Sequence, residues 1–189
     1  MKYSFVILAI FSLGSFYAQD ISSPGEIALE TTIEKIGDYA QFAPAAASLI
    51  AVIIHNDEAG TWQYAKASAA NLALTWTLKY AINKPRPEGR LDGYAFPSGH
   101  TSHAFQGAAF LLRRYGWAYG IPAYAVAGFV AFSRLEGLND RHDGWDVLGG
   151  IIVGVGSTYL FTTPYQKDHF QLSFKGGDGD YLLGIVYKF

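Results

Sequence analysis

The sequence predicts an all-α fold, a helical bundle of five or six helices with a short C-terminal β-hairpin. Three observations predict it. Apolar, Ala-rich stretches of helical length recur between residues 22 and 165. Turns rich in Gly, Pro, Asn and Asp separate them. Beyond residue 169 the pattern changes to alternation of apolar and polar residues. The organisation read from this is a leader over residues 1–18, one helical domain over 22–165, and a hairpin over 169–189. A chain of 189 residues is natural for a single domain.

Met1-Lys2-Tyr3 and the apolar run Ser4–Ala18 read as a secretory signal peptide cleaved near Ala18. The alternative is an uncleaved anchor, but the run is short of the ~20 apolar residues of a span. Either way the chain enters or crosses a membrane. Ser22-Ser23-Pro24 starts a helix, with a Ser cap and Pro in the first turn. Leu29, Ile33 and Ile36 follow at helical spacing, and Glu26, Glu30, Glu34 and Lys35 are expected to face water or headgroups. Phe42–Ile54 is uncharged and suits a buried helix. His55–Gly60 is a polar turn. Thr61–Asn83 forms the next helix.

Lys84–Ser98 contains Pro85, Pro87, Pro97, Gly89 and Gly93 and predicts a loop, the longest inside the helical region. Long loops in compact domains are often functional. Ser98–Arg114 resumes a helix with Ser98 as cap. Gly116–Phe132 suits a buried helix or a span, and Val147–Tyr165 reaches spanning length. Within the latter, Gly150-x-x-x-Gly154 permits close helix approach. In the tail, Phe170, Leu172 and Phe174 alternate, Gly176–Asp180 turns, and Tyr181, Leu183, Ile185, Tyr187 and Phe189 alternate again. The aromatic face of this hairpin is expected to pack on the helices, a partner or a membrane. His169 and Lys188 are expected to be solvated.

Composition excludes several function classes. There is no cysteine, hence no disulfide, thiolate metal site or cysteine nucleophile. A formal charge of −2 gives no basic surface for nucleic acid. A mean hydropathy of +0.12 is low for a chain made mostly of spans.

Three polar clusters carry chemistry. Lys79 to Pro87 supplies Lys79 and Arg86, and the third cluster adds Arg134 after Ser133. Three cations suit a doubly charged phosphate monoester, Arg as a planar fork and Lys as a point charge. Pro97-Ser98-Gly99-His100 opens a helix whose first amides can bind an anion, with Ser98 adding a hydroxyl, Gly99 allowing close approach and His100 exchanging a proton. His142 and Asp146 are four apart, on one face if both are helical. A carboxylate on Nδ1 fixes the imidazole tautomer and leaves Nε2 as nucleophile.

Taken together, Lys79-x6-Arg86-Pro87, Pro97-Ser98-Gly99-His100 and Ser133-Arg134…His142-x3-Asp146 resemble the three-part signature of the type 2 phosphatidic acid phosphatase family, whose relatives include bacterial acid phosphatases and vanadium haloperoxidases. The resemblance covers residues 79–146 and implies a set of roles. Lys79, Arg86, Ser98, Gly99 and Arg134 hold the phosphoryl oxygens. His142 is the nucleophile and passes through a phosphohistidine. Asp146 orients it. His100 protonates the leaving oxygen and then activates water. No metal or other cofactor is required. One departure stands out: seven residues, Leu135 to Arg141, separate Arg134 from His142, two more than the family's usual spacing. Arg141 is therefore the alternative phosphate ligand, and Asp143 is read as a helix-start residue.

The function expected from this is hydrolysis of a lipid phosphate, phosphomonoester or pyrophosphate, by an exported protein that is periplasmic or membrane-associated in the cell envelope. A soluble broad-specificity periplasmic acid phosphatase is the runner-up, and a vanadate-dependent haloperoxidase a more distant alternative. A non-enzymatic envelope protein is disfavoured, because every chemical group of the signature is retained.

Overall fold

The computed structural model describes residues 23–87, 93–136, 142–165, 170–177 and 180–187. The expected leader, Arg141, His169 and Lys188 lie outside the described residues. Six helices and a hairpin are present among them: α1 (Pro24–Ala40), α2 (Ala43–Ile54), α3 (Glu58–Ile82), α4 (Gly99–Tyr115), α5 (Trp117–Leu135), α6 (Gly144–Phe161), β1 (Phe170–Gly177) and β2 (Asp180–Tyr187). The bundle predicted from the sequence is the one found.

Local chemistry sets the helix ends. Ser23 and Glu26 form a reciprocal capping box at α1. Asp57 caps α3 by accepting from the Gly60 amide, so that helix begins earlier than the expected Thr61. Asn83 closes α3 in the left-handed conformation, with φ of 45°. Ser98 caps α4, as its sequence suggested.

The middle of the bundle is α4, which packs against α2, α3, α5 and α6. Small side chains make this possible. Ala104, Ala108 and Leu111 of α4 meet Ala123, Ala127 and Val130 of α5 and Ala51 of α2. Against α6 the approach is closer still. A Cβ on Gly154 would fall 2.4 Å from the Ser102 carbonyl oxygen, and one on Gly150 2.6 Å from that of Ser98. The Gly150-x-x-x-Gly154 spacing therefore does what it predicted: it brings two backbones into contact.

Two expectations about burial are corrected. α2 is not a buried helix: it turns Ala51 and Val52 inward but leaves Leu49, Ile50, Ile53 and Ile54 exposed, Ile53 by 72%. Its uncharged sequence has a bare face because only one side meets α4. Glu34, expected to face water, is 6% exposed, since α1 lies against α5. Among the described residues, two helical stretches are long and apolar enough to cross a membrane: Pro24–Ile54, which joins α1 and α2, and Gly144–Phe161.

At the far end of α4 from Ser98, Arg114 donates to both carboxylate oxygens of Asp57 at 2.6 Å. Tyr115 adds a hydroxyl bond to Asp57 at 2.9 Å. His55, expected in a plain polar turn, stacks on Tyr115 and contacts the Tyr119 hydroxyl at 3.0 Å. The hairpin pairs antiparallel, with Phe170 opposite Tyr187 and Gly177 opposite Asp180. The packing of its aromatic face lies outside the described side chains.

Candidate active site

Three chain segments far apart in sequence meet where α3 ends and α4 and α6 begin. The Ser98 amide donates to the Asp146 carbonyl at 2.8 Å, tying the start of α4 to the first turn of α6. Two helix N-termini thus lie side by side; Asp143 Oδ1 takes the Trp145 and Asp146 amides of α6, so the start of α4 is the end that favours an anion. Lys79, in the last turn of α3, leans over them. Its Cε lies 3.8 Å from where a Cβ on Gly99 would stand. Its Nζ is steadied by a bond to the Tyr94 carbonyl at 2.7 Å.

Burial, reinforced by the nearby Arg86 charge and opposed by Asp146, lowers the Lys79 pKa to about 8. Lys79 is therefore a cation that can release its proton near neutrality. The loop carrying Arg86 is held by the Ala95 amide, which donates to the Lys84 carbonyl at 2.9 Å.

His142 is 6% exposed. It does not share a helix with Asp146, as its spacing suggested. Asp143 is the cap of α6, so His142 sits one residue before the cap and outside the helix. The cap turns the chain back, and His142 Nδ1 still comes to 3.5 Å from Asp146 Oδ2. That is ion-pair distance, longer than a strong hydrogen bond. Catalytic hydrogen bonds are often long before substrate arrives. Burial holds the imidazole pKa below its ordinary value despite Asp146, and the Lys79 and Arg86 charges push the same way. The His142 imidazole is thus biased toward its neutral form, with Nδ1 turned toward a carboxylate.

The Asp146 side chain is fully buried. Oδ1 accepts from Lys84 Nζ at 2.8 Å, and Oδ2 accepts from the Asp143 amide at 3.1 Å. Lys84 also pairs with Asp143. Sequence reading did not single out Lys84, although it lies in the first cluster. Its neighbours across the site are 59 and 62 positions away, so no local pattern could reveal the contact.

The opposite wall is built by α1, α4 and α5. His100 Nε2 lies 3.2 Å from Asp38 Oδ1. The same oxygen takes Arg134 NH1 at 2.8 Å. Arg134 also donates NH2 to the Glu34 carbonyl at 2.9 Å and Nε to the Ser133 hydroxyl at 3.2 Å. Ser133, its neighbour in sequence, thus helps place the guanidinium. Yet this Arg meets protein oxygens, and it reaches His100 by way of Asp38. Ser98, fully buried, uses its oxygen as the helix cap, accepting from the Thr101 amide at 3.5 Å and also from the Thr101 hydroxyl at 3.0 Å. Asp38 is the second functional candidate that sequence reading missed. It sits on a helix read as ordinary packing.

Residues 60–170 match the family model described as the PAP2 superfamily. The chain is 28% identical over 172 residues to the lipid A 4'-phosphatase of Helicobacter pylori, a match covering 82% of this chain and 85% of that one. It is 33% identical over 135 residues to a lipid A 1-phosphatase of the same species, covering 67% and 69%. The crystal structure of Aquifex aeolicus LpxE superposes with a TM-score of 0.57 at 23% identity, over 74% of this chain and 87% of that one.

Proposed function

This chain belongs to the PAP2 superfamily and is a phosphoric ester hydrolase, and we propose that it dephosphorylates a lipid phosphate of the lipid A class at the cell envelope. The observation that carries the reading is the placement of His142, a buried neutral imidazole backed by Asp146 and influenced by the Lys79 and Arg86 charges. The relatives' substrates and the apolar outer faces of α2 and α6 support a lipid as the phosphate's carrier.

In the mechanism, Lys79, Arg86, Gly99 and the first α4 amides hold the phosphoryl oxygens, with Ser98 shaping the turn. His142 Nε2 attacks phosphorus while the ester oxygen leaves with a proton from His100. This forms a phosphohistidine, whose positive charge is offset by Asp146. Neutral His100 then takes a proton from water. The resulting hydroxide attacks phosphorus and breaks the N–P bond, releasing phosphate and restoring His142. Arg134 backs this wall through Asp38. No step calls on a metal. Export to the periplasm belongs to the same proposal.

The test is phosphate release by the purified protein from lipid A, phosphatidic acid, phosphatidylglycerol phosphate and p-nitrophenyl phosphate in one detergent. Preference for lipid A is expected. Equal release from all four points instead to the broad-specificity acid phosphatase.

The pH profile gives a second check. Free-enzyme groups appear in kcat/KM. Lys79 binds phosphate only while protonated, so kcat/KM falls as pH rises through about 8. The acid limb lies below the ordinary imidazole range, because His142 must be neutral to attack. Lys79→Arg, which stays charged, is expected to remove the Lys79 contribution near pH 8 and leave only the fall set by loss of the His100 proton. An alkaline limb unchanged in that variant assigns it to another group.

A further inference from the structure

We infer that Asp38, on α1 and outside the segment matched by the family model, is a positioning residue for proton transfer by His100. The inference rests on the proposed role of His100 and adds to it the group that aims its ring.

Asp38 Oδ1 is shared. It receives Arg134 NH1 at 2.8 Å and faces His100 Nε2 at 3.2 Å. If Asp38 served only to neutralise Arg134, a two-pronged pairing of carboxylate and guanidinium would be the stronger arrangement. Here Arg134 NH2 turns away to the Glu34 carbonyl instead. The Arg134 side chain is fully buried, whereas Asp38 and His100 remain 36% and 30% exposed. Asp38 is therefore gripped from behind by a fixed cation and presents its oxygen to an imidazole at the rim of the site.

The seat of α1 is built for this reach. A Cβ on Gly37 would fall 1.9 Å from Ser133 Oγ and 2.8 Å from Arg134 NH2. Only a glycine lets α1 approach α5 closely enough for its next residue to meet Arg134.

The chemical consequence follows from the two ring nitrogens. A carboxylate on Nε2 keeps a proton there in both charge states. Nδ1 is then the nitrogen that changes. Protonated, it gives its proton to the departing alkoxide; neutral, it accepts a proton from water. Asp38 takes no proton itself and touches no substrate. It fixes the tautomer and the direction of the ring.

General-acid help matters most when the leaving group is a poor one. An alkoxide needs a proton to depart, and a nitrophenolate does not. The test compares kcat/KM for two phosphates of matched tail length, an alkyl phosphate and an alkylated p-nitrophenyl phosphate, since kcat/KM reports only steps up to departure of the first product. Asp38→Asn is expected to lower kcat/KM for the alkyl phosphate by about tenfold or more, while the nitrophenyl ester changes by less than about threefold. His100→Ala, run beside it, should show the same bias more strongly. Equal losses on both substrates, or no loss on either, would overturn the positioning role of Asp38. If His100→Ala itself shows no bias, the proposed role of His100 fails instead. Circular dichroism checks the fold. Should Asp38→Asn not fold, Asp38→Glu keeps the charge but alters the reach and is read by the same ratio.

Discussion

His142→Ala is expected to lower turnover on the order of 10⁴-fold or more, the scale of loss when a covalent nucleophile is deleted. Neither Asp146 nor the helix amides can take its place, because none offers a lone pair aimed at phosphorus. The fold should survive. His142 lies before the α6 cap and makes no helix hydrogen bond that the cap does not supply. Asp146 keeps Lys84 and the Asp143 amide when the imidazole is gone, so no buried carboxylate is orphaned. Substrate affinity should change much less than kcat, since the cations and amides that hold the phosphate remain. Two measurements check this. Steady-state phosphate release gives the loss, and a brief incubation with ³²P-labelled substrate followed by alkaline quench should trap label on the native chain and not on the variant. Full activity in His142→Ala, or label retained by it, would remove the nucleophile assignment.

Asp57→Ala is expected to cost about 3–5 kcal/mol of stability, the usual price of removing one partner from a buried ion pair. The Arg114 side chain is fully buried against Asp57. Arg114 also donates to the Thr163 carbonyl at 3.0 Å and lies over the Tyr165 ring, and both of these groups are neutral. The same substitution strips the α3 cap from the Gly60 amide and leaves the Tyr115 hydroxyl without its acceptor. Burial works against the Asp57 charge, but Arg114, the Gly60 amide and Tyr115 outweigh it and hold the carboxyl pKa below its ordinary value. A depressed folded-state pKa means stability that is present above the unfolded carboxyl pKa and lost as pH falls through the folded one. The gap between native and variant should therefore be full near neutrality and narrow in acid. Thermal unfolding followed by circular dichroism at several pH values reads both. A variant that unfolds with the native chain at neutral pH contradicts the account.

What the sequence disclosed was governed by distance along the chain. Ser98 before a helix, Gly150 and Gly154 one turn apart, and the alternation after residue 169 are local patterns, and each became the element it announced. His142 and Asp146 were paired correctly for a partly wrong reason. Their spacing looked helical, whereas a capping residue between them bends the chain to the same effect. The burial of α2 was misjudged because an uncharged sequence looks alike whether it meets protein or an apolar surround. Asp38 and Lys84 were not legible at all. Arg134 lies 96 positions from Asp38, and Lys84 reaches Asp146 across 62. Carboxylates and lysines of that kind look like ordinary surface charge until the fold brings them in.

The contact of α4 with α6 at Gly150 and Gly154 leaves no slack between the two helix starts, which the Ser98 amide also latches to the Asp146 carbonyl. The two helices cannot part to admit a substrate or let phosphate go without breaking backbone contact along their length. Traffic through the site must therefore fall to the side chains at its rim.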